Sequence, residues 1–315
     1  MIAEAQRAVL LAASRNSRLR DVVERAPVTR DLVRRFVAGT GDDHALEVCT
    51  DLRGQGLLVT IDRLGEDVRD AADAAATRDA YLGILARLSA LGLTEAGAVE
   101  VSVKLSALGQ ALGASGEQTA LENARVVCDA AALAGTTVTL DMEDHTTVDS
   151  TLSVLESLRA EFPWVGAVLQ AQLRRTEADC RELSGAGSRV RLCKGAYAPP
   201  EGVAFTSPHE VDRSYVRCLK VLMNGDGYPM LATHDPTLLE IAQAVARDVG
   251  RAETAWEVQM LLGVRPEEQK RLAALGRRVR TYVPYGEDWY AYLVRRLAER
   301  PANLALLLRS LTTTK

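Results

Sequence analysis

The residues best suited to chemistry lie near the end of the chain, in Tyr290-Ala-Tyr-Leu-Val-Arg-Arg-Leu-Ala-Glu-Arg-Pro-Ala-Asn303. The stretch reads as a helix entered from the polar run Tyr285-Gly-Glu-Asp288. Tyr292, Arg295, Arg296 and Glu299 fall at i, i+3, i+4 and i+7 and share one face. Two adjacent guanidiniums can grip one carboxylate or phosphate through rigid donor forks. On this helix alone, a solvated Arg-rich face with an internal Arg–Glu pair explains the pattern equally well.

Other chemistry-bearing residues recur at the ends of short apolar runs. Arg191-Leu-Cys-Lys-Gly-Ala-Tyr197 places a cation inside a β-branched run and a second, Lys194, at its exit; Gly195-Ala196 lets backbone approach a ligand closely. The set suits an anion such as a pyrophosphate, or an electron-rich ring, with a basic loop paired to nearby acids as the plainer reading. Asp141-Met-Glu-Asp-His145 holds metal-competent residue types, but the spacing fits no common metal motif. Asp141 is read as an inward charge, Glu143 and Asp144 as the start of a loop, and Thr146 as a helix N-cap with Asp149 in the first turn. His234, in Ala232-Thr-His-Asp-Pro236, could donate to a phosphate or a ring carbonyl, or serve structure alone. Lys104 raises a rival chemistry, a Schiff-base lyase or aldolase. Nearby carboxylates such as Asp141 and Glu299 would instead make it an ion-paired charge.

These groups need a frame. From Gly56 onward, short β-branched runs alternate with helical stretches. The runs predict strands over 57–61, 99–105, 137–142, 166–171, 190–193, 229–232, 256–260 and 279–283. The helices between them are predicted over 66–91, 117–134, 147–160, 176–183, 210–223, 237–248, 266–275 and 287–298. Eight such units predict an α/β fold, a closed and distorted (β/α)8 TIM barrel with helices outside, and the first βα turn lacks the GxGxxG fingerprint of the open alternative. Chemistry in such barrels sits at the C-terminal strand ends. Asp62, Lys104, Asp141, Gln170, Arg191 with Lys194, Thr233 with His234, Glu257 with Gln259, and Tyr282 with Tyr285 are all assigned there, over strand interiors of mostly Val, Leu and Ile. Together they predict a large polar ligand in the barrel mouth. Residues 1–55 read as accessory helices, 5–13, 19–24 and 28–37 among them, and 56–315 as the barrel. The long connection 198–208 is read as a lid or binding loop.

Composition narrows the partners. A net charge of −4 and only three Phe and three Trp argue against a nucleic-acid partner. Five cysteines, without CxxC spacing, read as reduced and mostly buried thiols of a cytoplasmic protein. The chain shows no signal peptide or spanning segment, and no strongly basic amphipathic helix to anchor it.

Taken in order, the motifs resemble one family, the monofunctional bacterial FAD-dependent proline dehydrogenases. The tokens are Val103-Lys-Leu-Ser106, Leu140-Asp-Met-Glu143, Leu169-Gln-Ala171, Arg191 to Tyr197, Ala232-Thr-His234, Trp256-Glu-Val-Gln-Met-Leu261, Tyr282-Val-Pro-Tyr-Gly286 and the closing Tyr292 to Asn303. The resemblance implies FAD at the C-terminal face, with L-proline oxidised to Δ1-pyrroline-5-carboxylate by hydride transfer to flavin N5. It also implies a membrane quinone as electron acceptor and a separate pyrroline-5-carboxylate dehydrogenase for the next step. By the same resemblance, Arg295 and Arg296 clamp the substrate carboxylate with Lys104 as a third cation. Glu299 and Asp141 balance these charges, and Tyr282, Tyr292, Tyr197 and Leu261 wall the ring. Asp141 and Arg191 match positions critical for activity. Arg191 and Gln170 contact the flavin ring, beside the backbone of Met142. Lys194, Gly195 and Ala196 hold the phosphate and ribose region next to Thr233 and His234. No metal is implied. The chain departs from the family at Gln172, where Tyr is frequent, at Ala198, where Trp is common, and in Trp256-Glu-Val-Gln, which replaces the usual Phe-Glu-Phe-Gln.

Overall fold

The computed structural model describes residues 33–66 and 68–298, without the side chains of 291 and 295–298. Helix α1 (Asp42–Gly54) precedes eight strand–helix units. These are β1 (Leu58–Arg63) with α2 (Ala71–Ala90), β2 (Val99–Val103) with α3 (Gly116–Leu133), and β3 (Val138–Leu140) with α4 (Val148–Arg159). Next come β4 (Gly166–Gln170) with α5 (Thr176–Glu182), and β5 (Arg189–Cys193) with α6 (Pro208–Asn224). The circuit ends with β6 (Tyr228–Ala232) and α7 (Pro236–Asp248), β7 (Glu257–Leu261) and α8 (Pro266–Ala274), and β8 (Val279–Tyr285) and α9 (Trp289–Ala298). The strands pair in chain order and β8 closes on β1, all in parallel, so the predicted barrel is the observed one. Strand and helix bounds differ from those predicted by a few residues at most, the largest shift being at the start of α2. There Asp70 caps the helix by accepting from the Ala72 and Asp73 N–H groups at 2.9 Å, which sets its beginning.

Strand alternation sorts the side chains into two layers. Val59, Ile61, Val101, Val103, Val138 and Leu140 are buried in one cluster with Ile84, Leu85, Leu88 and Val127 of α2 and α3. The hydrophobic core therefore lies between sheet and helices. Thr60, Asp62, Glu100, Ser102, Arg191, Glu257, Gln259 and Arg280, two apart on their strands, are buried on the barrel side. This corrects the expectation of apolar strand interiors. It also moves Glu257 from the mouth to the floor, since Glu257 begins β7.

Segments around the mouth are tied down. Ala38 N–H donates to the Pro284 carbonyl, and Gly286 N–H to that of Gly39. Within the 198–208 connection, Ala204 forms an antiparallel bridge with Leu173, and Arg174 lies over the Phe205 ring at 4.7 Å. The start of α4 corrects another expectation: its N-cap position is Thr147, without a side-chain cap, and Asp144 caps the preceding 3-10 turn 145–147, accepting from Thr146 N–H at 3.0 Å and its hydroxyl at 2.8 Å. The five cysteines are free, four of them buried and Cys193 partly so.

Candidate active site

The polar interior has two storeys. In the floor, Glu100 accepts from Arg189 Nη2 at 2.6 Å, Thr60 Oγ1 at 2.8 Å and Thr137 Oγ1 at 2.7 Å. Arg280 holds Glu257 through Nε at 2.6 Å and Nη2 at 3.2 Å, and donates from Nη1 to the Val59 carbonyl. Burial would push the Glu100 carboxyl up, but Arg189, Arg280 and Arg191 outweigh it and hold it far below the usual range.

The upper storey is centred on Asp141. Its Oδ1 accepts from Arg191 Nη1 and Ser102 Oγ, each at 2.6 Å, and its Oδ2 from the Tyr282 hydroxyl at 2.6 Å. Lys104 Nζ stands 2.7 Å from Asp62 Oδ2 and 3.5 Å from Asp141 Oδ2. The strand register explains the convergence: Asp62 pairs with Ser102 across β1–β2, and Ser102 with Thr139 across β2–β3, so Asp141 comes two steps further up.

Burial alone would depress the Lys104 ammonium, yet Asp62, Tyr282 and Asp141 hold its pKa well above the ordinary value. Asp141 is likewise held down, its burial outweighed by Lys104 and Arg191. Burial raises the Asp62 carboxyl, and Asp141 adds to this. The shifts on Lys104 and Asp62 pull against each other; the 2.7 Å contact favours the ion pair, while the dry setting opposes it. A lysine so firmly protonated is a poor nucleophile, which weighs against the Schiff-base reading. The Tyr282 phenol, pushed well up by burial and then by Asp141 and Asp62, stays a donor.

Around this centre the other predicted residues take distinct places. Gln170 Nε2 donates to the carbonyls of Met142 at 3.2 Å and Glu143 at 2.7 Å, pinning the β3 exit. His234 Nε2 accepts from Leu261 N–H at 2.9 Å, so that nitrogen carries no proton and faces β7. Thr233 Oγ1 accepts from Asp235 N–H. Lys194 is half-exposed between Asp212 at 2.6 Å and Asp235 at 3.2 Å. Gly195 has a φ of +118°, and a Cβ there would collide with the Gln172 side chain, so this turn requires glycine. Tyr292 is buried on α9, with Tyr197 and Ala196 at the β5 exit. The Arg295 and Arg296 side chains and all of Glu299 lie outside the described residues. Asp62, Lys104, Asp141, Arg191 and Tyr282 thus meet at one mouth, whereas Glu257 lies in the floor and Tyr285 packs in the cluster between sheet and helices, and the terminal clamp is left to the sequence.

Two neighbours, Ser102 and Glu66, escaped the sequence reading, and two others, Gln259 and Glu143, were placed there without their partners. Ser102 and Gln259 bracket Arg191, and the spacing Glu100–Ser102–Lys104 on β2 was the available signal. Glu66, just past β1, adds to the field that holds Lys104 charged. Glu143 accepts from Ser106 N–H at 3.1 Å and Ser106 Oγ at 2.6 Å, locking the turn after Lys104. Burial pushes its carboxyl from 4.5 up to about 7, against the lowering by Ser106 and Lys104. Its folded value exceeds its unfolded one, so the native state binds this proton more tightly. The associated stability is complete below about pH 4.5 and is lost as pH rises through about 7, a change of about 3 kcal/mol. Urea midpoints at pH 4.5 and 8.5 should therefore differ more in the wild type than in E143Q; equal differences would rule this out.

A closed (β/α)8 barrel with fixed charges at its C-terminal mouth defines an enzyme site of the class that binds a polar ligand there. The proline dehydrogenase family model matches residues 45–307, and the chain belongs to that family. It is 37% identical over 283 residues to the proline dehydrogenase of Deinococcus radiodurans, covering 89% of this chain and 90% of that one. It is 35% identical to proline dehydrogenase 1 of Bacillus subtilis, covering 90% and 91%. The solved proline utilization A of Bdellovibrio bacteriovorus, inactivated by N-propargylglycine, superposes with a TM-score of 0.80 at 28% identity. That match covers 87% of this chain but 33% of the structure, so the chain spans about a third of that longer protein. The family implies a flavin cofactor. The residues present fit one: Arg191 Nη2 is buried with no hydrogen-bond acceptor among the described residues, as is Asp62 Oδ1 without a donor. Nη2 lies 3.7 Å from the floor carboxylate Glu100 and Nη1 meets Asp141, so what Arg191 offers an electron-rich ring in the mouth is a fixed, buried positive charge. Among the described residues, no group of three or more His, Cys, Asp or Glu could hold a metal ion, and no helix is long and apolar enough to cross a membrane.

Proposed function

We propose that this chain oxidises L-proline to Δ1-pyrroline-5-carboxylate with FAD as its flavin, the first step of proline degradation to glutamate. The observation that carries the reading is the buried Arg191 cation, held at the mouth by Asp141, Ser102 and Gln259. Proline loses a hydride from ring carbon C5 and a proton from nitrogen. When bound, the flavin supplies the acceptor for the hydride, and the protein's task is to orient and to stabilise charge.

In this reading Arg295 and Arg296 clamp the proline carboxylate from α9, with Lys104 as a third cation and Asp141 and Glu299 as counter-charges. Tyr282, Tyr292, Tyr197 and Leu261 wall the ring. Arg191, Gln170 and the Met142 backbone meet the flavin ring. Lys194, Gly195, Ala196, Thr233 and His234 meet its phosphate and ribose, where an anionic group competes with Asp212 and Asp235 for Lys194. Lys104, Asp141 and Tyr282 act as fixed charges and donors, since none changes protonation near neutrality. Residues 1–55 serve as an accessory unit to the barrel of 56–315; the helices expected over 5–13, 19–24 and the start of 28–37 lie outside the described residues. Electrons pass to a membrane quinone, through a peripheral contact made from the cytoplasm, and a separate dehydrogenase oxidises the product.

The test is the visible spectrum of the purified protein before and after anaerobic L-proline. Flavin bands that bleach are expected. A protein that stays colourless after reconstitution with FAD, or whose bands persist with proline, overturns the assignment.

A further inference from the structure

We infer that Gln259, oriented by Glu257, is a positioning residue that holds Arg191 toward the mouth and away from the barrel floor; the inference rests on the flavin reading above. Arg191 lies between two carboxylates. Above it, Asp141 Oδ1 is 2.6 Å from Nη1; below it, Glu100 Oε1 is 3.7 Å from Nη2. All three side chains are buried or nearly so, and a charge in a dry site is drawn strongly by either anion. What fixes the guanidinium is its third edge. Gln259 Oε1 accepts from Arg191 Nε at 2.5 Å.

An amide can present either its oxygen or its nitrogen, and an outward nitrogen would repel Arg191. Here the choice is made from below. Gln259 Nε2 donates to Glu257 Oε1 at 2.6 Å, and an ionised carboxylate can only accept. Glu257 is itself immobilised by the two-pronged contact with Arg280, and by the Tyr228 hydroxyl at 3.1 Å. Its carboxyl is kept ionised because Arg280 outweighs its burial. The column Arg280, Glu257, Gln259, Arg191, Asp141 therefore runs from floor to mouth. Its polarity leaves Nη2 without a hydrogen bond among the described residues, 3.7 Å from the floor carboxylate Glu100.

The experiment compares wild type, Q259M and the swap E257Q with Q259E. Q259M keeps the volume and removes both hydrogen bonds. The swap keeps one carboxylate and one amide in the column and keeps an acceptor against Arg191 Nε. The first readout is the ligand-free crystal structure: in Q259M the guanidinium should engage Glu100 in place of Asp141. The second is the two-electron midpoint potential of the bound flavin. A tenfold loss of preference for the reduced ring lowers it by about 30 mV, and Q259M should show at least that. Turnover with L-proline should fall at least tenfold, with KM changed less than threefold. The swap should recover most of both losses. An Arg191 that stays on Asp141 with an unchanged potential in Q259M overturns the inference, as does a swap that recovers nothing. If Q259M does not fold, the swap alone decides by the same two criteria. A wild type that binds no flavin instead refutes the proposed function, while the crystallographic readout still judges the column.

Discussion

Asp141→Ala should cut kcat/KM for L-proline by about a hundred- to a thousandfold while the barrel stays folded. Asp141 is where the upper storey meets: Arg191 at 2.6 Å, Tyr282 at 2.6 Å and Lys104 at 3.5 Å all address its two oxygens. Removing one partner of a buried, hydrogen-bonded charge pair costs about 2–5 kcal/mol, mostly through the charge left behind. At about 1.4 kcal/mol per factor of ten, the middle of that range gives the stated loss. Two cations would then share Asp62 and Glu100, and Arg191 would lose its hold on the mouth side. Asp141→Asn should fall between, because it keeps an acceptor for Arg191 but not the charge. The Asp141 carboxyl is held below its usual range, so the wild-type rate should not fall through this group until well into acid. Stopped-flow flavin reduction by proline measures the effect directly. An alanine variant retaining more than a tenth of wild-type kcat/KM would remove Asp141 from the centre of the site.

The two kinds of alternation in this chain were unequally legible. The βα alternation is carried by runs of β-branched residues and by caps, and these are local signals. Hence the eight strands and their closure are legible in the sequence itself. Strand-end residues such as Asp141 and Arg191 were legible for the same reason, since the fold class fixes which strand end is the mouth. The floor was not. Glu100 and Glu257 look like ordinary strand polar residues until β2, β5, β7 and β8 are brought together. Arg189 and Glu100 meet across 89 positions. Nothing local marks which inward residue will find its counter-ion. Gln259 shows the same limit on a finer scale, because its direction depends on a carboxylate two residues earlier on its own strand and an arginine on the next.

The floor also carries the largest expected effect on stability. Glu100 is fully buried, with Arg189 at 2.6 Å, Arg191 at 3.7 Å and Arg280 at 3.8 Å around it, and with hydroxyls of Thr60, Thr137 and Thr139 completing its contacts. Three guanidiniums and two carboxylates, Glu100 and Glu257, share this space. Glu100→Ala would leave Glu257 as the one floor carboxylate for all of them. Breaking a buried pair from one side costs about 3–5 kcal/mol, a large part of the roughly 5–15 kcal/mol that holds a typical protein folded. The melting temperature should fall by roughly 10 °C, or the chain should fail to accumulate in soluble form. Glu100→Gln should cost less, since the threonine hydroxyls keep an acceptor. It should also change the acid limb. The Glu100 carboxyl lies far below its ordinary 4.5, so its contribution is present above that value and is lost as pH falls through the depressed one. Urea unfolding from pH 7 to pH 3 should thus be shallower in pH for Glu100→Gln than for wild type. Parallel curves, with a small loss for Glu100→Ala, would mean that Arg189 and Arg280 find other partners and that the floor is held by packing instead of charge.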